Sequence, residues 1–150
     1  MKYLSLIIFL SFIYLGCKDQ TKSTAPDIKP MKNTYTNGVV SREYETINGK
    51  IEGVMKEYYN DGKIKCIRNF VNNNEEGKTQ FFYETGELKE VQYYKQGLRV
   101  GMDTVFFQSG KLKFVAQYDN GKKHGFFRDY DEAGNIVSES QYENDIRKQK

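Results

Sequence analysis

The side chains that could do chemistry are few: one histidine, two cysteines and several groups of carboxylates. His124 is the sole imidazole, which excludes His-rich metal centres and His-based triads. Its setting, Asn120-Gly121-Lys122-Lys123-His124-Gly125, is that of an exposed turn. Glu75-Glu76 and Asp129, Asp131 and Glu132 fall in loops or at strand ends, where paired acids serve solvation and not general acid–base work. The glycines recur at a fixed interval, and none forms a phosphate-binding loop ahead of a helix. The expectation is a chain with no enzyme activity, cofactor or metal. Cys66 reads as a small apolar residue on a strand, and two cysteines do not make a disulfide framework. Cys17 lies in a different setting, behind an apolar stretch, where a thiolate is the best nucleophile for attaching a lipid.

The elements around Cys17 are legible. Lys2 precedes the uncharged run Tyr3 to Leu15, which is 13 residues long, whereas a spanning helix needs about 20. A short apolar stretch behind a basic residue is a secretory leader. Tyr14-Leu15-Gly16-Cys17 resembles the lipobox of bacterial lipoproteins, with Tyr14 where that family usually has Leu. The resemblance implies cleavage after residue 16, acylation of Cys17 and permanent anchoring, since two or more acyl chains hold a membrane firmly. Cleavage without lipid and a retained leader are the alternatives. Lys18 and Asp19 resemble surface-export signals of lipoproteins in the Bacteroidota, which leans toward a bacterial envelope location at the outer membrane. The polar, aperiodic segment after Cys17 is a flexible tether. Residues 1–16 are thus assigned as signal peptide and 17–33 as linker.

The rest of the 150-residue chain carries a repeat. Gly53, Gly77, Gly101 and Gly125 are each 24 residues apart, as are Gly62, Gly86, Gly110 and Gly134. Tyr58, Phe82, Phe106 and Tyr130 share one slot, Ile64, Leu88, Leu112 and Ile136 a second, and Phe70, Tyr94, Tyr118 and Tyr142 a third. A further slot holds Gly49, Asn73, Gly97, Gly121 and Asp145. Asn and Asp tolerate positive φ best after Gly, so this slot calls for a left-handed backbone. Asn60-Asp61-Gly62 and its three counterparts look like short hairpin loops. A half-repeat at 34–47 precedes units 48–71, 72–95, 96–119 and 120–143, and 144–150 is a polar tail. The predicted fold is all-β: about nine strands in an elongated, twisted antiparallel meander.

The phrase Asn-Gly-Lys-x-x-Gly-x-x-x-x-Tyr-Tyr-x-x-Gly-x-Ile-Lys at Asn48 to Lys65 resembles the MORN-repeat variant, found in bacterial proteins filed as YwqK-type antitoxin components. That resemblance implies a partner-binding role and brings no catalytic residues. Charge does not favour nucleic acid. The net charge is +3, acids and bases are interspersed, and only Arg147, Lys148 and Lys150 cluster.

The slot spacings are even, so if the turns keep strand parity, Tyr58, Ile64 and Phe70 mark one face and their neighbours the other. That second face is apolar in the middle units and polar in the last. Tyr59, Phe81, Tyr83, Tyr93, Val105 and Phe107 would then form a groove for a protein, peptide or glycan, unless the sheet curls over them. The function expected is a membrane-anchored interaction module, with a toxin-neutralising protein as the alternative.

Overall fold

The computed structural model describes residues 25–149, so the leader, Cys17 and the start of the tether lie outside the described residues. The described chain forms one antiparallel sheet of thirteen strands whose order follows the sequence, open at both ends. The strands are β1 (Ile28–Thr34), β2 (Val40–Ile47), β3 (Lys50–Tyr58), β4 (Ile64–Val71), β5 (Asn74–Glu75), β6 (Gly77–Phe82) and β7 (Leu88–Lys95). They continue as β8 (Leu98–Arg99), β9 (Gly101–Phe106), β10 (Leu112–Asp119), β11 (Lys122–Tyr130), β12 (Ile136–Glu143) and β13 (Ile146–Arg147). There is no helix among the described residues.

Two kinds of turn generate the zigzag. The first is a two-residue turn with both residues at positive φ, the twist-matched connection for a hairpin. It falls at Asn48-Gly49, Asn72-Asn73, Gln96-Gly97, Asn120-Gly121 and Asn144-Asp145, where the second residue has φ of 76°, 71°, 78°, 80° and 68°. The left-handed slot read from Gly, Asn and Asp is therefore real. The second turn closes each hairpin on the opposite side. In it the Gly62 amide donates to the Tyr59 carbonyl at 3.0 Å and the Tyr59 amide to that of Lys63 at 2.8 Å, and Tyr83, Phe107 and Asp131 repeat the pattern.

Three expectations need correction. The sheet begins at Ile28, inside the segment assigned to the linker, so the half-repeat is a full hairpin of β1 and β2. Its first strand lacks the marker glycine, because Lys29 occupies the slot of Gly53. Pro30 is tolerated there because β1 is an edge strand. Ten of the strands are long and three have two residues, the extra breaks falling beside Gly77 and Gly101. His124 is not in a turn: the two-residue connection ends at Gly121, and His124 lies half-buried in β11.

The turns also fail to keep parity. Glu57 pairs with Cys66 and Tyr58 with Ile64, so Lys65 is an extra residue that shifts the register. The same shift recurs at Phe81 to Phe82, Leu112 to Phe114 and Asp129 to Tyr130. One extra residue moves the remainder of the strand to the other face. Cys66 and Phe70 therefore share a face, while Tyr58 and Ile64 belong to the opposite one. Most of the core lies on the Cys66 face, where Met55, Cys66, Thr79, Gln92, Asp103 and Ala116 are buried, and Val91 is buried on the opposite face.

Candidate interaction surface

The two faces differ in kind. The face carrying Cys66 is closed by its own side chains. Arg42 pairs with Glu57 at 3.0 Å. Arg68 donates to the Cys66 sulfur at 3.3 Å, lies 5.7 Å from the Phe81 ring centre and approaches Glu75 at 3.7 Å. Thr79 donates to Glu75 at 3.0 Å. In the middle units Gln92 donates to Glu90 and Tyr94 to Gln92, while Arg99 reaches Asp103 at 3.1 Å and the Tyr118 hydroxyl at 3.3 Å. In the last unit Phe127 packs edge-on against Phe114, Tyr118 and Tyr142, with centroids 6.1, 5.5 and 4.8 Å away. Burial pushes the Cys66 thiol above its ordinary range, with Arg68 opposing. That thiol is inert packing, not a nucleophile.

Asp103 is the exception within this network. It is 5% exposed, and its Oδ1 is buried without a hydrogen-bond partner. Desolvation first, and then the neighbouring Glu90 carboxylate, push its pKa up to about 7 against the pull of Arg99. A proton on Oδ1 gives that oxygen something to donate toward Glu90, which accounts for an atom that is otherwise an orphan. Sequence reasoning does not find this cluster, because acids read one at a time look like solvation. The available signal is an Asp in the slot that holds Met55, Thr79 and Phe127 in the other units.

The opposite face is open. One continuous ladder crosses it strand by strand: Lys32, Glu43, Lys56, Ile67, Gln80, Val91, Thr104, Val115, Arg128 and Glu139. Charges alternate at its two ends and are absent from its centre. Beside it runs a second row in which Val54, Tyr93, Met102 and Phe126 are all more than two-fifths exposed. Asn69, Lys78, Gln117 and Gln141 stand between them as their cross-strand partners. Large apolar groups held in a line across several units, with polar groups between, make a contact surface.

The six residues expected to line a groove are not brought together. Tyr93 is on the open face. Phe81 and Val105 are half-buried on the closed face, both paired with Glu90. Tyr59, Tyr83 and Phe107 sit at the hairpin ends, also half-buried. The register shift at each hairpin separates them. Tyr59 and Tyr83 tie neighbouring units together. Each hydroxyl donates to a backbone carbonyl of the next unit, Tyr59 to Phe82 at 2.6 Å and Tyr83 to Phe106 at 2.7 Å. Tyr35 does the same to Tyr58 at 2.6 Å. Lysines one turn away cover the rings, Lys65 at 5.8 Å from Tyr59, Lys89 at 5.7 Å from Tyr83 and Lys113 at 5.5 Å from Phe107.

Among solved structures, accessory secretory protein 1, 2 and 3 of Streptococcus pneumoniae aligns with 15% identity and a TM-score of 0.40, over 67% of this chain and 18% of that one. No curated protein matches the chain. Three segments, residues 51–72, 75–96 and 123–144, match the family model of the MORN repeat variant.

Proposed function

We infer that this protein is a non-catalytic repeat module that holds a protein, peptide or glycan partner on its open sheet face, anchored to a bacterial envelope through lipid on Cys17. The observation that supports the binding reading is the exposed row Val54, Tyr93, Met102 and Phe126 beside the uncharged stretch Ile67 to Val115. The closed face pairs most of its charges internally, whereas the open face exposes Val54, Tyr93, Met102 and Phe126, one from each unit. Aromatic and Met side chains are favoured at the centres of interfaces, where charge is depleted. The anchor rests on the lipobox resemblance at Tyr14 to Cys17, which implies a module outside the cytoplasm.

Two experiments test the halves separately. A photo-crosslinking residue introduced at Tyr93 or at Met102 in intact cells is expected to capture the same partner, and Val54→Ser with Phe126→Ser to diminish the yield. Equal capture from Phe114 on the closed face, or none from either open-face position, would overturn the binding reading. For the anchor, a labelled fatty acid is expected in the wild type and absent in Cys17→Ser. A wild type without label, or equal label in the variant, would refute lipid anchoring.

A further inference from the structure

The two ends of the sheet are not alike, and their difference is that of two surfaces that meet inside it. Strands β1, β3, β6, β9 and β11 occupy one position of the repeat, and β2, β4, β7, β10 and β12 the other. Among the described residues, one end of the sheet exposes the first type through β1 and the other exposes the second type through β12. Internal junctions between units join the second type to the first. At them Cys66 pairs with Phe81 and Ile67 with Gln80, then Glu90 with Val105 and Val91 with Thr104, then Phe114 with Asp129 and Val115 with Arg128.

The far end already carries half of such a junction. β13 pairs Arg147 with Tyr142 and Ile146 with Glu143, as β5 does with Phe70 and Val71 and β8 with Tyr94 and Lys95. The Lys148 amide donates to the Gln141 carbonyl at 2.8 Å, as Glu76 does to Asn69 and Val100 to Tyr93. Internal junctions then continue with a two-residue pairing, whose counterparts here, Ser138 and Glu139, are unpaired on their outer side among the described residues. A hollow of about 570 Å³ lies against this stretch, lined in part by Phe126, Glu139 and Lys148.

We propose that copies of this chain associate head to tail, the Met31–Thr34 half of β1 of one molecule pairing antiparallel with β12 of the next, while Ile28 and Lys29, which fall in this register on the places of Lys148 and Gln149, lift from the edge. The 24-residue register sets Ser138 opposite Asn33 and Glu139 opposite Lys32 of the second copy. Charge agrees with this register. The open-face ladder would run Arg128, Glu139, then Lys32, Glu43, Lys56, each charge beside its opposite across the junction. Lysines on an exposed edge normally deter pairing, but here Lys32 falls next to a carboxylate. Because the surfaces joined are different, the contact does not close on itself and produces linear chains.

Cysteine pairs test the register. Residues 33 and 138 lie nine strand spacings apart, roughly 40 Å at about 4.8 Å each, so a disulfide between them must join two molecules. Under oxidation the full-length Asn33→Cys/Ser138→Cys variant is expected to give a ladder of dimers, trimers and larger species on non-reducing gels. Asn33→Cys/Gln141→Cys, which puts the thiols on opposite faces, should not. In sedimentation the mass of the wild type should rise with concentration, and Glu139→Lys should weaken association by about fivefold, the equivalent of about 1 kcal/mol for a cross-strand pair. Dimers from Asn33→Cys alone would mean that β1 pairs with itself and would overturn the proposal. So would a monomeric wild type together with no ladder from the matched pair.

Discussion

Replacing Asp103 with Asn isolates the cost of ionising a carboxyl in a single-layer sheet. The fold holds its pKa at about 7, against 3.8 for the ordinary side chain. Below the lower value the residue is protonated in both folded and unfolded states, and the cost is nil. As the pH rises, the unfolded chain releases its proton first, and stability falls by about 1.36 kcal/mol per pH unit until the folded state also ionises. The gap gives a total loss of about 4 kcal/mol, spread between about pH 4 and pH 7, with little change above that. The large size follows from geometry. Asp103 is 5% exposed and has Glu90 as a second carboxylate neighbour, with Arg99 only 3.1 Å from its Oδ2 to compensate. Asn mimics the protonated acid: its amide nitrogen donates toward Glu90 while its oxygen accepts from Arg99. Exposed carboxylates with lowered pKa, such as Asp61 and Asp131, act in the opposite sense, their contribution vanishing as the pH falls. They are common to both proteins and cancel in the difference. Urea unfolding of wild type and Asp103→Asn, from pH 4 to pH 8, should show the variant gaining on the wild type by up to about 4 kcal/mol toward the alkaline end. A difference that stays flat across this range would refute the reasoning, because Asp103 would then be ionised in the fold throughout.

Three further outcomes rest on the backbone. Phe107→Tyr should extend the hydroxyl ties made by Tyr35, Tyr59 and Tyr83, raising stability by about 0.5–1 kcal/mol in thermal or urea unfolding; Tyr83→Phe should lose a similar amount. Gly125→Ala should cost about 1–3 kcal/mol, since its φ is +84° and an added Cβ runs into the Gln117 side-chain amide. At Gly49, φ +76°, Asn should be tolerated within about 1 kcal/mol and Val should cost more, because Asn73 already occupies the equivalent slot at φ 71° whereas a β-branched side chain is a steric outlier there.

The turn residues make the fold legible and the hairpin bulges hide the site. Gly49, Asn73, Gly97, Gly121 and Asp145 differ in type but share one backbone requirement, so their spacing alone yields the meander and its period. Lys65, Lys89 and Lys113 are ordinary exposed strand residues in composition, and nothing in their type marks them as extra. Each nonetheless reverses which side chains share a face, so a groove assembled from parity alone mixes Phe81 with Tyr93. The buried acids are hidden for a related reason. Burial depends on the face and on the neighbouring strand, and Asp103 is buried by Arg99, Glu90 and Ala116, none of which a local window associates with it.

The third unit shows how separable these two layers of information are. Residues 97–122 contain no match to the MORN-variant model, yet β9 and β10 keep the register, the turns and the bulge of their neighbours. On its closed face this unit carries Arg99 and Asp103 in the slots of Ile51 and Met55 of the first unit, as the second carries Glu75 and Thr79. A stacked unit needs only its turn residues and a side chain of suitable volume at each inward slot to join its neighbours. The inward slots are therefore free to carry charge wherever an adjacent strand supplies the partner. Arg99 obtains its partners from its own unit through Asp103 and Tyr118 and from the preceding one through Tyr94. The consequence is a coupling across the unit boundary: removing the Tyr94 hydroxyl with Tyr94→Phe leaves Arg99 to turn toward Asp103, which should lower the Asp103 pKa and shrink the pH-dependent loss assigned to it. In the Asp103→Asn background, Tyr94→Phe should leave the remaining pH dependence unchanged, and a change there would place the titrating group elsewhere on the closed face.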